Sequence, residues 1–184
     1  MSTNAYIMME HAPTPVTGET ITLIYCHLDG YIEGAGETLF EHYQDPEKVK
    51  ALLELGDILS LGEFLAPKKG QTHTLLDPTP NTSVAYHRDR GDNYDDVKPK
   101  EFTEKELACT LLDPTTDTTL AYHSGPSDNY NDVKPKEFTG NKPALKWRFQ
   151  EYNYFFGLDK KWYLVIVHPG IEKLWMIELY NYLV

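Results

Sequence analysis

At 184 residues, 41% of them hydrophobic and 13 of them tyrosine, the chain can bury one aromatic-rich core and is too apolar for a disordered protein. Its formal charge of −11 repels phosphate backbones, which disfavours direct binding of DNA or RNA through a basic groove. No stretch approaches the roughly 18 consecutive apolar residues of a membrane span. The start "MSTNAYIMMEHAPTP" lacks the basic and apolar blocks of a signal peptide, and the two cysteines, Cys26 and Cys109, form no paired motif, so a cytoplasmic setting is expected.

The acidity is concentrated early, with ten Asp or Glu against two Lys in residues 1–60. Pro13, Pro15 and Gly18 mark residues 1–18 as a flexible arm, followed by one α+β domain over 19–184. "ETITLIYCHLDG" alternates as a strand, with Ile21, Leu23 and Tyr25 on one face. "DGYIEGAG" reads as a glycine-rich loop, and "ETLFEHYQ" spaces Leu39, Phe40 and Tyr43 as a helix does. The next helix has the strongest signals. Asp45 suits the N-cap, Pro46 the first helical position and Gly56 the left-handed C-terminal cap, around a Val49, Leu52, Leu53 stripe.

Residues 74–103 and 110–139 then repeat each other at an offset of 36, with 21 of 30 positions identical. Each copy carries a β-rich "TSVAYH" or "TTLAYH" run after a "DPT" turn, and a "VKPKEF" segment that Pro99 or Pro135 holds extended. Two copies fall short of a solenoid, so the second reads as an insertion that extends the sheet or sits beside it. The C-terminal part is mostly β. It comprises "LKWRFQEYNYFFG" with a phase slip near Gln150, an "LDKK" turn, the strand "WYLVIVH", and "IEKLWMIELYNYLV" ending as a helix. The expected architecture is a mostly antiparallel sheet with helices around 36–55 on one face and a tandem-duplicated β-rich segment.

Three clusters carry candidate chemistry. Cys26, His27 and Asp29 lie together at a strand end, where a reactive thiol or ligand is plausible. Yet Cys26 and His27 point to opposite faces of a strand, and one Cys-His pair is a weak zinc signal. The bland alternative is a core cysteine and a hydrogen-bonded histidine. His87, Arg88, Asp89 and Arg90 form the densest polar group, and two guanidiniums at i and i+2 on an extended chain suit a phosphate or carboxylate. The copies part here, since Ser124, Gly125 and Pro126 replace Arg88, Asp89 and Arg90. The alternative is a pair of solvent-exposed turns. Tyr31, Glu33, Glu37 and Glu41 belong to the acidic third, a docking surface for a basic partner or simply a solvated face. Asp92, Asp95 and Asp96 lack the spacing of a calcium loop, and no metal or other cofactor is expected.

In order and spacing, "YCHLDGYIEGAGETLFEHYQDPEKVKALLELGDILSLGE", "VAYHRDRGDNYDDVKP" and "EYNYFFGLDKKWYLV" resemble a group of small bacteriophage and prophage proteins, many from Gram-positive hosts. Those read Cys-His-Trp-Asp-Gly-Tyr, a His-Tyr helix, Leu-Gly-Asp, Ala-Tyr-His-Arg-Asp-Arg-Gly and an aromatic hairpin before Lys-Trp-Tyr. The likeness covers most of residues 19–167 and brings no established activity with it. Leu28 stands where the pattern has Trp, and the second copy is extra. The resemblance implies an accessory phage protein acting in the host cytoplasm. The expected role is a stoichiometric inhibitor of a bacterial defence system, such as a CRISPR effector, that binds its target protein and imitates nucleic acid. Two other readings stand beside it: a sponge for an anionic nucleotide signal built on His87, Arg88 and Arg90, and a small enzyme centred on Cys26 and His27.

Overall fold

The computed structural model describes residues 3–15, 18–89, 100–103, 136–137, 150–168 and 173–183. In chain order these form β1 (Ala5–Thr14), β2 (Gly18–Cys26), a π-helical turn (Ile32–Gly36), α1 (Glu37–His42), α2 (Pro46–Leu53), β3 (Ile58–Ser60) and β4 (Val84–Ala85). They continue with α3 (Tyr86–Asp89), β5 (Lys100–Thr103), β6 (Lys136–Glu137), β7 (Tyr152–Phe156), β8 (Trp162–His168), β9 (Lys173–Glu178) and α4 (Tyr180–Leu183). The fold is α+β. Nine strands among the described residues make one sheet in the order β4-β3-β2-β1-β7-β8-β9-β6, with β5 pairing β2 off that path. The sheet is mostly antiparallel; β1–β7 and β2–β3 are its parallel pairs.

The expected flexible arm is instead a central strand. Residues 5–14 pair with β2 from Ala5↔Cys26 to Thr14↔Gly18, and on the other side run parallel to β7 from Ala5↔Tyr152 to Met9↔Phe156. From Ala5 to Met9 both edges of β1 are occupied and both of its faces are covered. Ala5 and Ile7 face the main core, while Met8 faces a second cluster. A strand buried on both sides need not alternate in polarity, so its pattern does not announce itself.

The main core lies between the sheet and the helices. Ile7, Ile24, Tyr154, Phe156 and Leu164 meet Leu39, Tyr43, Val49 and Leu52 there, all within 5% of full burial. The second face holds Met8, Leu23, Phe155, Tyr163, Val165 and Met176. On β2 the sequence pattern picks out Ile21, Leu23 and Tyr25, which belong to this second face. Ile24 and Cys26, on the opposite side, are fully buried in the main core.

Helix α2 forms as its sequence dictates. The Asp45 carboxylate accepts the Glu47 amide at 3.0 Å, and Pro46 occupies the first turn, where its missing amide costs nothing. Val49, Leu52 and Leu53 are buried, and Gly56 ends the segment at φ 72°. Asp45→Ala should therefore cost about 1 kcal/mol in urea unfolding, with the slope of the transition unchanged.

The glycine-rich stretch before α1 is not a loop. It is the π-helical turn, running directly into α1. Gly36 is buried there, and a Cβ at this position would come within 3.1 Å of the Tyr154 hydroxyl. Its smallness serves close packing. Of the duplicated segment, the β-rich run of the first copy shrinks to the two-residue β4 before the chain turns helical at α3. Most of the second copy, residues 110–135 and 138–139, lies outside the described residues. The extended "VKPKEF" segments both supply strands: β5 lies antiparallel on β2, and β6 antiparallel on β9.

Candidate functional site

The polar residues around "HRDR" form a buried network that ties together the loops either side of β4. Arg88 sits in the helical turn α3, not on an extended chain. Its guanidinium donates to the Ser83 carbonyl at 2.6 Å, to the Leu65 carbonyl, and to both carboxylate oxygens of Asp89 at 2.6 and 2.8 Å. Asp89 also accepts the Ala85 amide at 2.7 Å, and its side chain is only 4% exposed. His73, 2% exposed, completes the group with Nε2 at 3.3 Å from Asp89 Oδ2. The Thr79 amide donates to His73 Nδ1 at 2.9 Å, and Nε2 also lies 3.3 Å from Arg88 Nη2. Both ring nitrogens are thereby engaged.

The network continues into a second knot. Ser83 Oγ accepts the Gly62 amide at 3.0 Å and donates to the Gly62 carbonyl at 3.2 Å, which also accepts the Tyr43 hydroxyl at 2.7 Å. Gly62 passes so close to the 81–82 backbone that a Cβ would lie 2.6 Å from the carbonyl atoms of Asn81 and 2.7 Å from Thr82 C. Backbone on the far side cannot step aside as a side-chain tip can. Gly62→Ala should cost about 3 kcal/mol, at the upper end of overpacking penalties, read as a lowered urea midpoint.

These observations reassign the sequence-derived phosphate candidates. Arg88 is spent on the protein's own carbonyls and Asp89, and Arg90 lies outside the described residues. His87 is exposed, and it too has interactions. His73, just before the first copy begins, was absent from the sequence-level candidates. One signal could have exposed it. At the 36-residue offset, His73, Arg88 and Asp89 all change together, to Cys109, Ser124 and Gly125. The mismatch between the copies thus removes every side chain of this ion-pair network at once.

Cys26, His27 and Asp29 are not brought together. Cys26 is fully buried in the main core, and its thiol donates to the Leu28 carbonyl at 3.2 Å. Burial pushes that thiol up to about 12, the opposite of what a nucleophile needs. His27 faces the other side of the sheet, its ring 5.8 Å from Tyr25 and 6.4 Å from Tyr86 in an aromatic row that Tyr6 extends at 5.9 Å from Tyr25. Asp29 is exposed at φ 55°, and its carbonyl accepts the Ala35 amide at 2.7 Å to start the π-helical turn. Among the described residues, no group of three or more His, Cys, Asp or Glu is arranged to hold a metal ion. No helix among them is long and apolar enough to cross a membrane.

The acidic residues fare differently. Glu33, Glu37 and Glu41 recur every four residues along the π-helical turn and α1, and all three are exposed, while Ala35, Gly36 and Leu39 between them are buried. Four-residue spacing stacks side chains along one face of a helix. Tyr31, 38% exposed, stands at the start of this row, and the exposed Glu47 follows in the first turn of α2. The His42 ring lies 3.6 Å from the Glu41 carboxylate. No family model, no curated protein and no solved structure matches the chain.

Proposed function

We propose that the chain is a phage-encoded inhibitor that binds a bacterial defence protein through the acidic helical face 31–47, taking the place of nucleic acid in a basic channel. The observation that carries this reading is the exposed row Glu33, Glu37 and Glu41, fixed on a helical segment whose opposite side is packed in the core. A rigid row of carboxylates on a chain of net charge −11 steers a basic surface from a distance and holds it in register. The resemblance to phage proteins supplies the setting, the bacterial host cytoplasm, and the class of target, a nucleic-acid-binding effector. The competing readings have less to draw on. A nucleotide sponge needs a free cation, and the Arg88 guanidinium is occupied within the fold. An enzyme centred on Cys26 needs a thiolate, and that thiol is buried and held protonated.

The test starts by recovering the target from lysate of a Gram-positive host with the purified protein and identifying it by mass spectrometry. Association with the purified target is then measured by surface plasmon resonance. Changing Glu33, Glu37, Glu41 and Glu47 together to Gln should slow association about tenfold at low salt and flatten its salt dependence, because steering is screened within about 8 Å at physiological ionic strength. Association that is equally fast for both proteins, at low and high salt alike, would end the mimicry reading. Heat on titrating a cyclic dinucleotide into the protein alone would favour the sponge.

A further inference from the structure

Among the described residues Leu76, at 97%, is the most exposed large apolar side chain. An isolated apolar side chain at a surface is ordinary. Leu76 differs in how firmly the backbone around it is held. Thr74 and Asp77 close the turn twice: the Thr74 amide donates to the Asp77 carbonyl at 3.2 Å, and the Asp77 amide donates to Thr74 Oγ1 at 3.0 Å. The Leu75 amide donates to the Asp89 carbonyl at 3.3 Å. At the base of the loop the Thr79 hydroxyl donates to the Thr72 carbonyl at 3.0 Å, and the Thr79 amide to His73 Nδ1. His73 in turn lies against the Arg88 guanidinium and the Asp89 carboxylate, each 3.3 Å from Nε2. A buried ion pair adds little net stability over apolar packing. What this one does is fix the loop that carries an exposed leucine.

A loop ordered in advance loses less entropy on binding, so a leucine presented this way is held more tightly by a partner than one on a loose loop. The net charge of −11 and the exposed Asp77 beside Leu76 narrow the partner. Anionic lipid repels such a chain, and so does a second copy of it. A protein pocket with Lys or Arg at its rim is favoured instead. The loop is also joined to the acidic helical face. Lys48 of α2 donates to the Glu63 carbonyl at 2.9 Å, the adjoining Phe64 is 45% exposed, and Arg88 donates to the Leu65 carbonyl. Through Glu63, Leu65 and Arg88 a run of contacts leads from the helix that carries Glu47 to the base of the Leu76 loop.

We propose that Leu76 is a docking knob, held in place by His73, Arg88 and Asp89, which inserts into an apolar, basic-rimmed pocket of the protein that the acidic helical face binds. The inference rests on the proposed inhibitor role for its partner and adds an apolar anchor outside residues 31–47. The charged row brings the partner in, and the leucine slows its departure.

Surface plasmon resonance against the host protein that the parent chain recovers tests it. Leu76→Ala should leave the urea midpoint unchanged, because the side chain is exposed, and weaken binding about thirtyfold, chiefly through faster dissociation. The Glu-to-Gln change of the acidic face acts on association instead, so the two contacts are read apart. His73→Ala tests the brace. It should speed hydrogen exchange at the Thr79 amide and weaken binding about tenfold, and that loss should vanish when Leu76 is already alanine. Leu76→Ala that dissociates as slowly as the parent overturns the knob, while slowed association of the Glu-to-Gln protein would leave the acidic face its role. Losses that simply add for His73→Ala and Leu76→Ala overturn the brace. A parent chain that sediments as a dimer, and as a monomer once Leu76 is alanine, gives the leucine to a second copy and overturns the proposal. Recovery of no host protein at all ends both readings.

Discussion

Replacing Asp89 with alanine should destabilise the protein by about 3–5 kcal/mol, the cost of stripping a buried ion pair of one partner. The carboxylate is 4% exposed and gathers the Arg88 guanidinium, the Ala85 amide and the His73 ring. Without it, Arg88 keeps the Ser83 and Leu65 carbonyls but loses its counter-charge, and the Ala85 amide loses its acceptor. Arg88→Ala should cost less, because that side chain is 28% exposed and water can replace part of what it loses. The double variant should fall well short of the sum, since each single change already breaks the pair. Urea unfolding of the four proteins measures the cycle. Additive effects, or a loss below about 1 kcal/mol for Asp89→Ala, would show that the network contributes little to stability.

The protein should also unfold in alkali between pH 9 and 12. Burial raises the Cys26 thiol from 9.0 to about 12 and the Tyr43 phenol from 10.0 to about 12, and it raises the Tyr154 phenol further still. All three groups are neutral when protonated, and their folded values lie above their unfolded ones. Their contribution is therefore fully present below pH 9 and is lost as pH climbs toward the folded values, because the unfolded chain releases these protons first. By pH 11 the loss should be on the order of 5 kcal/mol. The urea midpoint, followed by far-UV circular dichroism from pH 8 to 11, should fall steadily, and Cys26→Ala should shallow that fall. A midpoint that holds steady to pH 11 would contradict the burial of these groups.

Much of the helical layer was legible because its signals are local. Asp45, Pro46 and Gly56 each act within a turn of their own position, and the Val49, Leu52, Leu53 stripe needs only a face to cover. The hairpin of β7 and β8 was legible for the same reason, with Lys160 at φ 62° turning the chain between them. The central position of β1 was hidden. Pro13 and Pro15 suggest a loose arm, but they fall at its end, where its residues are exposed, and the strand that fixes its other edge lies near residue 152. The glycines of "YIEGAG" look like freedom, whereas Gly36 is small because Tyr154 lies against it. At the candidate site, the acidic row kept its place because exposed helical spacing can be read directly. The "HRDR" cluster changed its meaning because its partners, Leu65, His73 and Ser83, are scattered through loops that no period reveals.

The parallel pairing of β1 with β7 bears on how the chain matures during synthesis. Ala5 meets Tyr152, the Tyr154 hydroxyl donates to the Gly30 carbonyl, and the Trp162 indole donates to the Tyr43 carbonyl. A ribosome adding about 5–20 residues each second needs about 7 to 30 seconds to span that interval. Until then Ala5–Met9 has β2 on one side and an empty edge on the other. Such an edge invites another strand, including one from a neighbouring nascent chain. Closing contacts this remote is also slow once the chain is free. Translation speed and chaperone supply, more than equilibrium stability, should therefore govern how much of the protein is recovered folded from cells.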